Sequence, residues 1–112
     1  MVRAKPIDLT PPAGVAREAA KGLALREKFN RGGTDVGVER AKQLSERRPV
    51  SAADITAISS YFKRHVVDKD AATHKWGDAT DPSPGYVAWL LWGGDAGERW
   101  ADRVKAQLEK TK

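Results

Sequence analysis

The chain contains no cysteine, which excludes disulfide bonds and thiolate metal sites. It also lacks a long apolar run, because the run at residues 86–92 is far shorter than the roughly 20 residues that a helix needs to cross a bilayer. The first residues lack the apolar segment of a signal peptide. We therefore expect no membrane partner and a location in a cytoplasm.

The sequence also lacks the residue patterns that catalysis requires. Its two histidines, His65 and His74, are too few for a zinc site, which needs three or four ligands, and adding Asp68 or Asp70 would give only a weak metal site. The aspartates of residues 68–84 lack the alternation and closing glutamate of a calcium-binding hand. No serine lies in a nucleophile elbow, and the glycines before Thr34 lack the lysine of a nucleotide-binding loop. We expect a protein that is not an enzyme and that uses no cofactor or metal.

No segment alternates apolar and polar residues, so we expect no sheet. Apolar residues instead recur every three or four positions, as in amphipathic helices. The clearest stripe lies in a helix predicted over residues 52–67 and consists of Ile55, Ile58, Phe62 and Val66. The sequence therefore predicts an all-α fold.

The predicted organisation is an extended arm over residues 1–13, followed by one helical domain over residues 14–112. The arm contains three prolines and no periodicity. The domain should hold four to five short helices and a long polar loop at residues 68–84. We expect left-handed glycine to end the first helix after residue 31. The expected N-caps are Thr34, Ser51 (in a capping box with Asp54) and Asp95.

The tryptophans are the candidate protein-interaction residues, because tryptophan dominates the energetics of many interfaces. Three of the four lie close together near the apolar run, and the fourth lies in the polar loop. The alternative is that at least two of the first three are ordinary core residues. The candidates are Trp76, Trp89, Trp92 and Trp100.

Charge supports a second hypothesis, since the net charge is +5 and the positive excess lies in residues 1–50. The second and third predicted helices loosely resemble a helix-turn-helix, with Ser59 facing outward. Small residues at the start of the third helix argue against base reading. This nucleic-acid alternative would contact phosphates through Arg40, Lys42, Arg47, Arg48, Lys63 and Arg64.

Three strings of residues carry a resemblance to a known family. The first string is RGGTDVGV at 31–38, the second is SYFKRH at 60–65 with Asp68 and Lys69 following, and the third is AWLLWGGDAG at 88–97. Together they resemble a small module of tailed bacteriophages, found alone or alongside head-maturation (prohead) protease and other head-assembly sequences. The resemblance spans about residues 16–103.

The resemblance implies a phage origin and a non-catalytic role in or near the virion head. It implies other phage structural proteins as partners, and the host cytoplasm and the virion as locations. It assigns no functional residue. Self-association and the stage of assembly at which the protein acts both stay open.

Overall fold

The computed structural model describes residues 7–71 and 76–110, and all regular secondary structure in these two ranges is helical. The prediction of an all-α fold with four to five short helices is confirmed, with one four-residue helical turn in addition. The elements are α1 (Ala13–Phe29), α2 (Asp35–Ser45), α3 (Ala52–His65), the turn α4 (Asp68–Ala71), α5 (Pro84–Leu91) and α6 (Gly94–Lys110).

Helix α5 lies at the centre of the packing. It contains most of the apolar run at 86–92, and it contacts α1, α2, α3, α4 and α6. Val87, Trp89 and Leu91 are almost completely buried. Ser83 caps the helix by accepting the Tyr86 amide at 3.1 Å, and a proline occupies the first turn, where its missing N–H costs nothing. A run without a polar face thus becomes the core.

Helix α1 crosses α5 at a glycine. A Cβ atom on Gly22 would lie 2.8 Å from the backbone nitrogen of Leu91 and 2.9 Å from the Cβ of Leu90. Such distances are well inside van der Waals contact, so only glycine lets the two backbones approach this closely. The position of α5 against α1 therefore depends on this residue.

The predicted caps at Thr34 and Ser51 are confirmed, whereas two other helix ends differ from expectation. Ser51 and Asp54 form the reciprocal capping box. Asn30, rather than a glycine, takes the left-handed conformation after α1, with φ of 50°, because its short side chain tolerates that region. Asp95 lies inside the first turn of α6 instead of capping it, and its carboxylate binds other partners.

The stripe on α3 ends earlier than its pattern suggested. Ile55, Ile58 and Phe62 are fully buried, but Val66 is 45% exposed because the helix ends at His65 and the chain turns away. The predicted loop then begins with α4, which follows this turn directly. Residues 72–75 of that loop, with His74 among them, lie outside the described residues.

The described part of the predicted arm, residues 7–12, lies against the connection between α2 and α3. Val50 donates its backbone amide to the Leu9 carbonyl at 3.0 Å, and Arg47 Nε donates to the Pro11 carbonyl at 2.8 Å. Pro11 is fully buried. Within the described ranges no helix is both long enough and apolar enough to cross a membrane.

Candidate functional site

Three rings and one guanidinium form a continuous stack at the edge of the core. Tyr61 of α3 stacks on His65, one helical turn later, with centroids 4.4 Å apart. It also stacks on Trp92, which follows α5, at 4.5 Å and only 7° from parallel. The Arg40 guanidinium of α2 lies 5.4 Å from the Trp92 ring, at cation–π distance. We call these four residues the aromatic stack.

A carboxylate holds each end of the aromatic stack. Arg40 Nη1 lies 3.0 Å from Asp54 Oδ1, and His65 Nδ1 lies 3.1 Å from an oxygen of Asp68. Burial alone raises the pKa of Asp54, but hydrogen bonds from Ser51 and Arg40 outweigh it and leave that pKa below its ordinary value. Asp54 is therefore ionised at neutral pH and fixes Arg40 over the indole.

The centre of the stack carries no charge at physiological pH. Burial, followed by the nearby charge of Asp68, raises the pKa of the Tyr61 phenol well above its ordinary value. Tyr61 is buried, whereas the side chains of Arg40 and His65 stay partly exposed, at 14% and 40%. A flat neutral ring between two polar ends suits binding by contact.

The three strings singled out in the sequence, at 31–38, 60–65 and 88–97, meet around this stack. In the first string, a Cβ on Gly37 would lie 3.3 Å from the Trp92 indole nitrogen, so glycine gives the indole its place beside α2. The second string contributes Tyr61, and the third contributes Trp92 itself. Gly97, also in the third, lets α6 pass the Trp92 carbonyl, since a Cβ there would lie 2.9 Å from that oxygen.

Beside the stack, α2 borders an open groove of about 480 Å³. Val36 is the most exposed large apolar side chain described, at 65%, and it lies one helical turn before Arg40. The groove therefore combines an apolar contact with charges of both signs. Its lining residues are Asp35, Val36, Glu39, Arg40, Gln43 and Arg48.

The four predicted tryptophans divide into two pairs. Trp89 and Trp100 are core residues, only 1% and 3% exposed. Trp76 and Trp92 are partly exposed, and no ring contact of the described residues joins them. Trp92 is the one in the aromatic stack, whereas Trp76 packs edge-on against Trp89 at 5.7 Å.

Trp89 also belongs to a polar cluster that fixes α4. Asp95 Oδ1 accepts the Trp89 indole N–H at 2.9 Å and the Lys69 ammonium at 3.1 Å. Lys69 Nζ also lies 4.5 Å from the Trp89 ring centroid. Burial raises the pKa of Asp95, but these two hydrogen bonds outweigh it, and the pKa lies below its ordinary value. The charges of Lys69 and Asp95 therefore have a structural role, which is to hold α4 in place.

The six cations of the nucleic-acid alternative are dispersed and mostly engaged. Arg40 is largely buried in the stack, and Arg47 donates to the arm. Lys42 pairs with Glu39 at 3.4 Å, and Arg48 pairs with Glu46 at 3.3 Å. The remaining two, on α3, are exposed and have no ion pair with a described residue; they are Lys63 and Arg64.

The α2–α3 segment does not have helix-turn-helix packing. Helix α2 packs on α1 and α5, whereas α3 packs mainly on α6. Ser59, which we expected to face outward, is fully buried and donates to Asp102 of α6 at 2.7 Å. The expectation failed because the α3 stripe is wide enough to bury a small polar residue once it finds a partner on α6.

The described ranges contain no group of three or more histidine and acidic residues that could hold a metal ion. His65, one of the two histidines, is placed in the aromatic stack and bonded to Asp68.

Sequence reasoning did not find the aromatic stack. The four-residue spacing of Tyr61 and His65 places them on one face of a helix, and that pairing was foreseeable. Nothing in the sequence linked them to Arg40 or Trp92, which come from other elements. The exposure of Val36 could not be predicted either, because the sequence alone does not show which valine of α2 faces the solvent. Val38, two residues later, packs against the core.

No protein-family model, curated protein or solved structure matches this chain.

Proposed function

We propose that this protein is a non-catalytic structural or assembly module of a tailed bacteriophage, associated with the virion or its head. It docks on another phage structural protein through the groove of α2 and the adjoining aromatic stack. Its places of action are the host cytoplasm, during assembly, and the particle. The resemblance of the three strings supports the phage origin, and the geometry of the groove supports docking.

The observation that carries the proposal is the meeting of the three strings around Trp92. They are far apart in the chain, yet they supply Gly37, Tyr61 and Trp92 to one place beside the groove. The residues by which the chain resembles phage modules are thus the residues that shape this surface. A shared docking surface is a reason for such strings to occur together.

The chemistry of the groove indicates the kind of segment that it takes. Val36 offers one apolar contact, while Arg40, Arg48 and Glu39 place both signs of charge around it. A protein segment with an apolar anchor and flanking charged residues complements this arrangement. An arginine and a tryptophan at one site are typical of interface residues with large energetic contributions.

Particle composition tests this proposal. Proheads and virions are purified from cells infected by the phage lacking this gene and complemented with wild type, Val36→Asp or Val67→Asp, and the protein is quantified by mass spectrometry. Val67 is a matched control because it is 63% exposed and does not line the groove. We expect wild type and Val67→Asp in particles at the same copy number, and Val36→Asp reduced at least tenfold.

Two results would overturn the proposal. One is absence of the wild-type protein from both proheads and virions. The other is equal incorporation of the two variants, which would remove the groove from the docking surface.

A further inference from the structure

A row of free cations runs along one face of α6 and continues onto α1. Within the described ranges, none of its members makes a hydrogen bond or an ion pair, and all are exposed. We call this row the basic stripe. Its members are Arg17, Arg99, Arg103 and Lys110.

Helical geometry places the three α6 members of the basic stripe in line. Positions 99, 103 and 110 are four and seven residues apart, which keeps them on one side of the helix over about 16 Å. Buried residues of α6 such as Gly97 and Ala101 lie on the opposite side. Between Arg103 and Lys110, Ala106 lies on the same side as the stripe and adds no charge.

Arg17 joins the row across a cleft between α1 and α6. The cleft has a volume of about 190 Å³, and Gly14, Arg99 and Arg103 are among its lining residues. An Nη atom of Arg17 lies 3.7 Å from the place where a Cβ of Gly14 would stand. Arg99 and Arg103 therefore line the cleft, and Arg17 lies beside Gly14, another of its lining residues.

Two acidic residues near the stripe have hydrogen-bond partners elsewhere. Asp95, one turn before Arg99, accepts hydrogen bonds from Trp89 and Lys69. Asp102, three residues after Arg99, accepts the hydroxyl of buried Ser59 at 2.7 Å. Arg99 still feels the charge of Asp95 and contributes to lowering its pKa, but it forms no ion pair with it. Neither carboxylate forms an ion pair with a member of the basic stripe.

We propose that the basic stripe binds the phosphate backbone of a nucleic acid without reading its sequence. Guanidinium groups bind phosphate oxygens in a bidentate manner, and a straight row of cations matches a strand that carries one negative charge per nucleotide. The inference does not rest on the proposed docking function, since it uses α6 and α1 rather than the groove of α2.

The basic stripe replaces the cations that the sequence suggested for this role. Four of those six are engaged within the protein, whereas all four members of the stripe are free among the described residues. A binding face without base-reading side chains agrees with phosphate contacts alone.

Fluorescence polarisation with a labelled random-sequence 30-bp duplex tests the proposal. Four phosphate contacts predict a slope of log K against log salt of about −3.6, or about 150-fold weaker binding at 200 than at 50 mM salt. The test variant is Arg99→Glu/Arg103→Glu. The matched control is Lys63→Glu/Arg64→Glu, which changes the net charge equally on exposed positions of α3. Circular dichroism checks that both remain helical.

We expect the α6 double variant to lose at least tenfold in affinity, and the α3 double variant to lose less than threefold. Absence of binding by the wild-type protein at 50 mM salt would overturn the proposal. Equal losses in the two variants would also overturn it, because binding would then not be specific to the basic stripe. Competition by poly-glutamate at concentrations no higher than those of unlabelled duplex would assign the stripe to an acidic protein segment instead.

Discussion

At the scale of the residue, several side chains have a role that their chemistry alone does not reveal. Trp92 could have been another core residue like Trp89, but the small size of Gly37 and the ring of Tyr61 hold it at the surface. Asp95 has the residue type of a helix cap, yet it binds an indole and an ammonium. The residue types of Trp92 and Asp95 predicted that both have a role, and their tertiary contacts determine which role each has.

Replacing Asp95 with asparagine should change the acid sensitivity of the fold. The pKa of Asp95 is lowered in the folded state, so its ionised form stabilises the protein above the unfolded pKa of about 3.9. That contribution is lost as the pH falls through the lower folded value. Because the side chain is 57% exposed, we expect ionised Asp95 to stabilise the wild-type fold by less than about 1 kcal/mol at neutral pH.

Thermal unfolding between pH 2 and 7 measures this contribution. Wild type should be more stable than Asp95→Asn above about pH 5, and the difference should shrink towards zero below the folded pKa. Asp70→Asn is the control, since the Asp70 carboxylate makes no ion pair with a described residue. A difference between wild type and Asp95→Asn that stays constant with pH would contradict the assignment.

At the scale of the element, local sequence patterns located most of the helices well. The apolar spacing on α3 and the capping residues Thr34 and Ser51 act within one or two turns, so they could be recognised without the fold. Helix packing could not be recognised in this way. The loose likeness of α2 and α3 to a helix-turn-helix failed because their apolar stripes face different partners.

The α1–α5 crossing provides a test at this scale, with two glycines of one helix as a matched pair. Gly22→Ala should destabilise the protein by about 1–3 kcal/mol, because the added methyl would overlap the backbone of Leu91. Gly14→Ala should be neutral or stabilising by up to about 1 kcal/mol, since its Cβ would make ordinary contacts at 3.7 Å or more.

Urea unfolding of the two alanine variants measures both effects. Helix propensity alone would make both substitutions favourable, so the opposite signs separate packing from propensity. Two variants of equal stability would mean that α1 and α5 do not approach as closely as described.

At the scale of the whole molecule, the chain forms a core centred on α5 and two surfaces of different chemistry. The α2 groove with the aromatic stack has an apolar contact and mixed charge, whereas the stripe on α6 is purely basic. The composition predicts a positive net charge, and the sequence places the excess of cations in the first half of the chain. Three of the four members of the basic stripe instead lie on the last helix, whereas several cations of the first half are used in internal contacts.

The candidate site illustrates why a sequence alone does not reveal such surfaces. Trp92 was a candidate from its residue type, and the four-residue spacing of Tyr61 and His65 made their contact foreseeable. The other components, Arg40 and Val36, come from α2 and reach the site only because α2 packs on α5. Contacts between distant segments carry no local signature.

Site-specific photo-crosslinking during infection tests the central claim, that the α2 groove docks on a phage structural protein, most directly. A photoreactive amino acid is placed at position 36 or, as the control, at position 67, and crosslinked products are identified by mass spectrometry. We predict one dominant product from position 36, with a head protein of the same phage, and none with that protein from position 67. A groove that crosslinks to no phage structural protein while assembly proceeds would contradict the account.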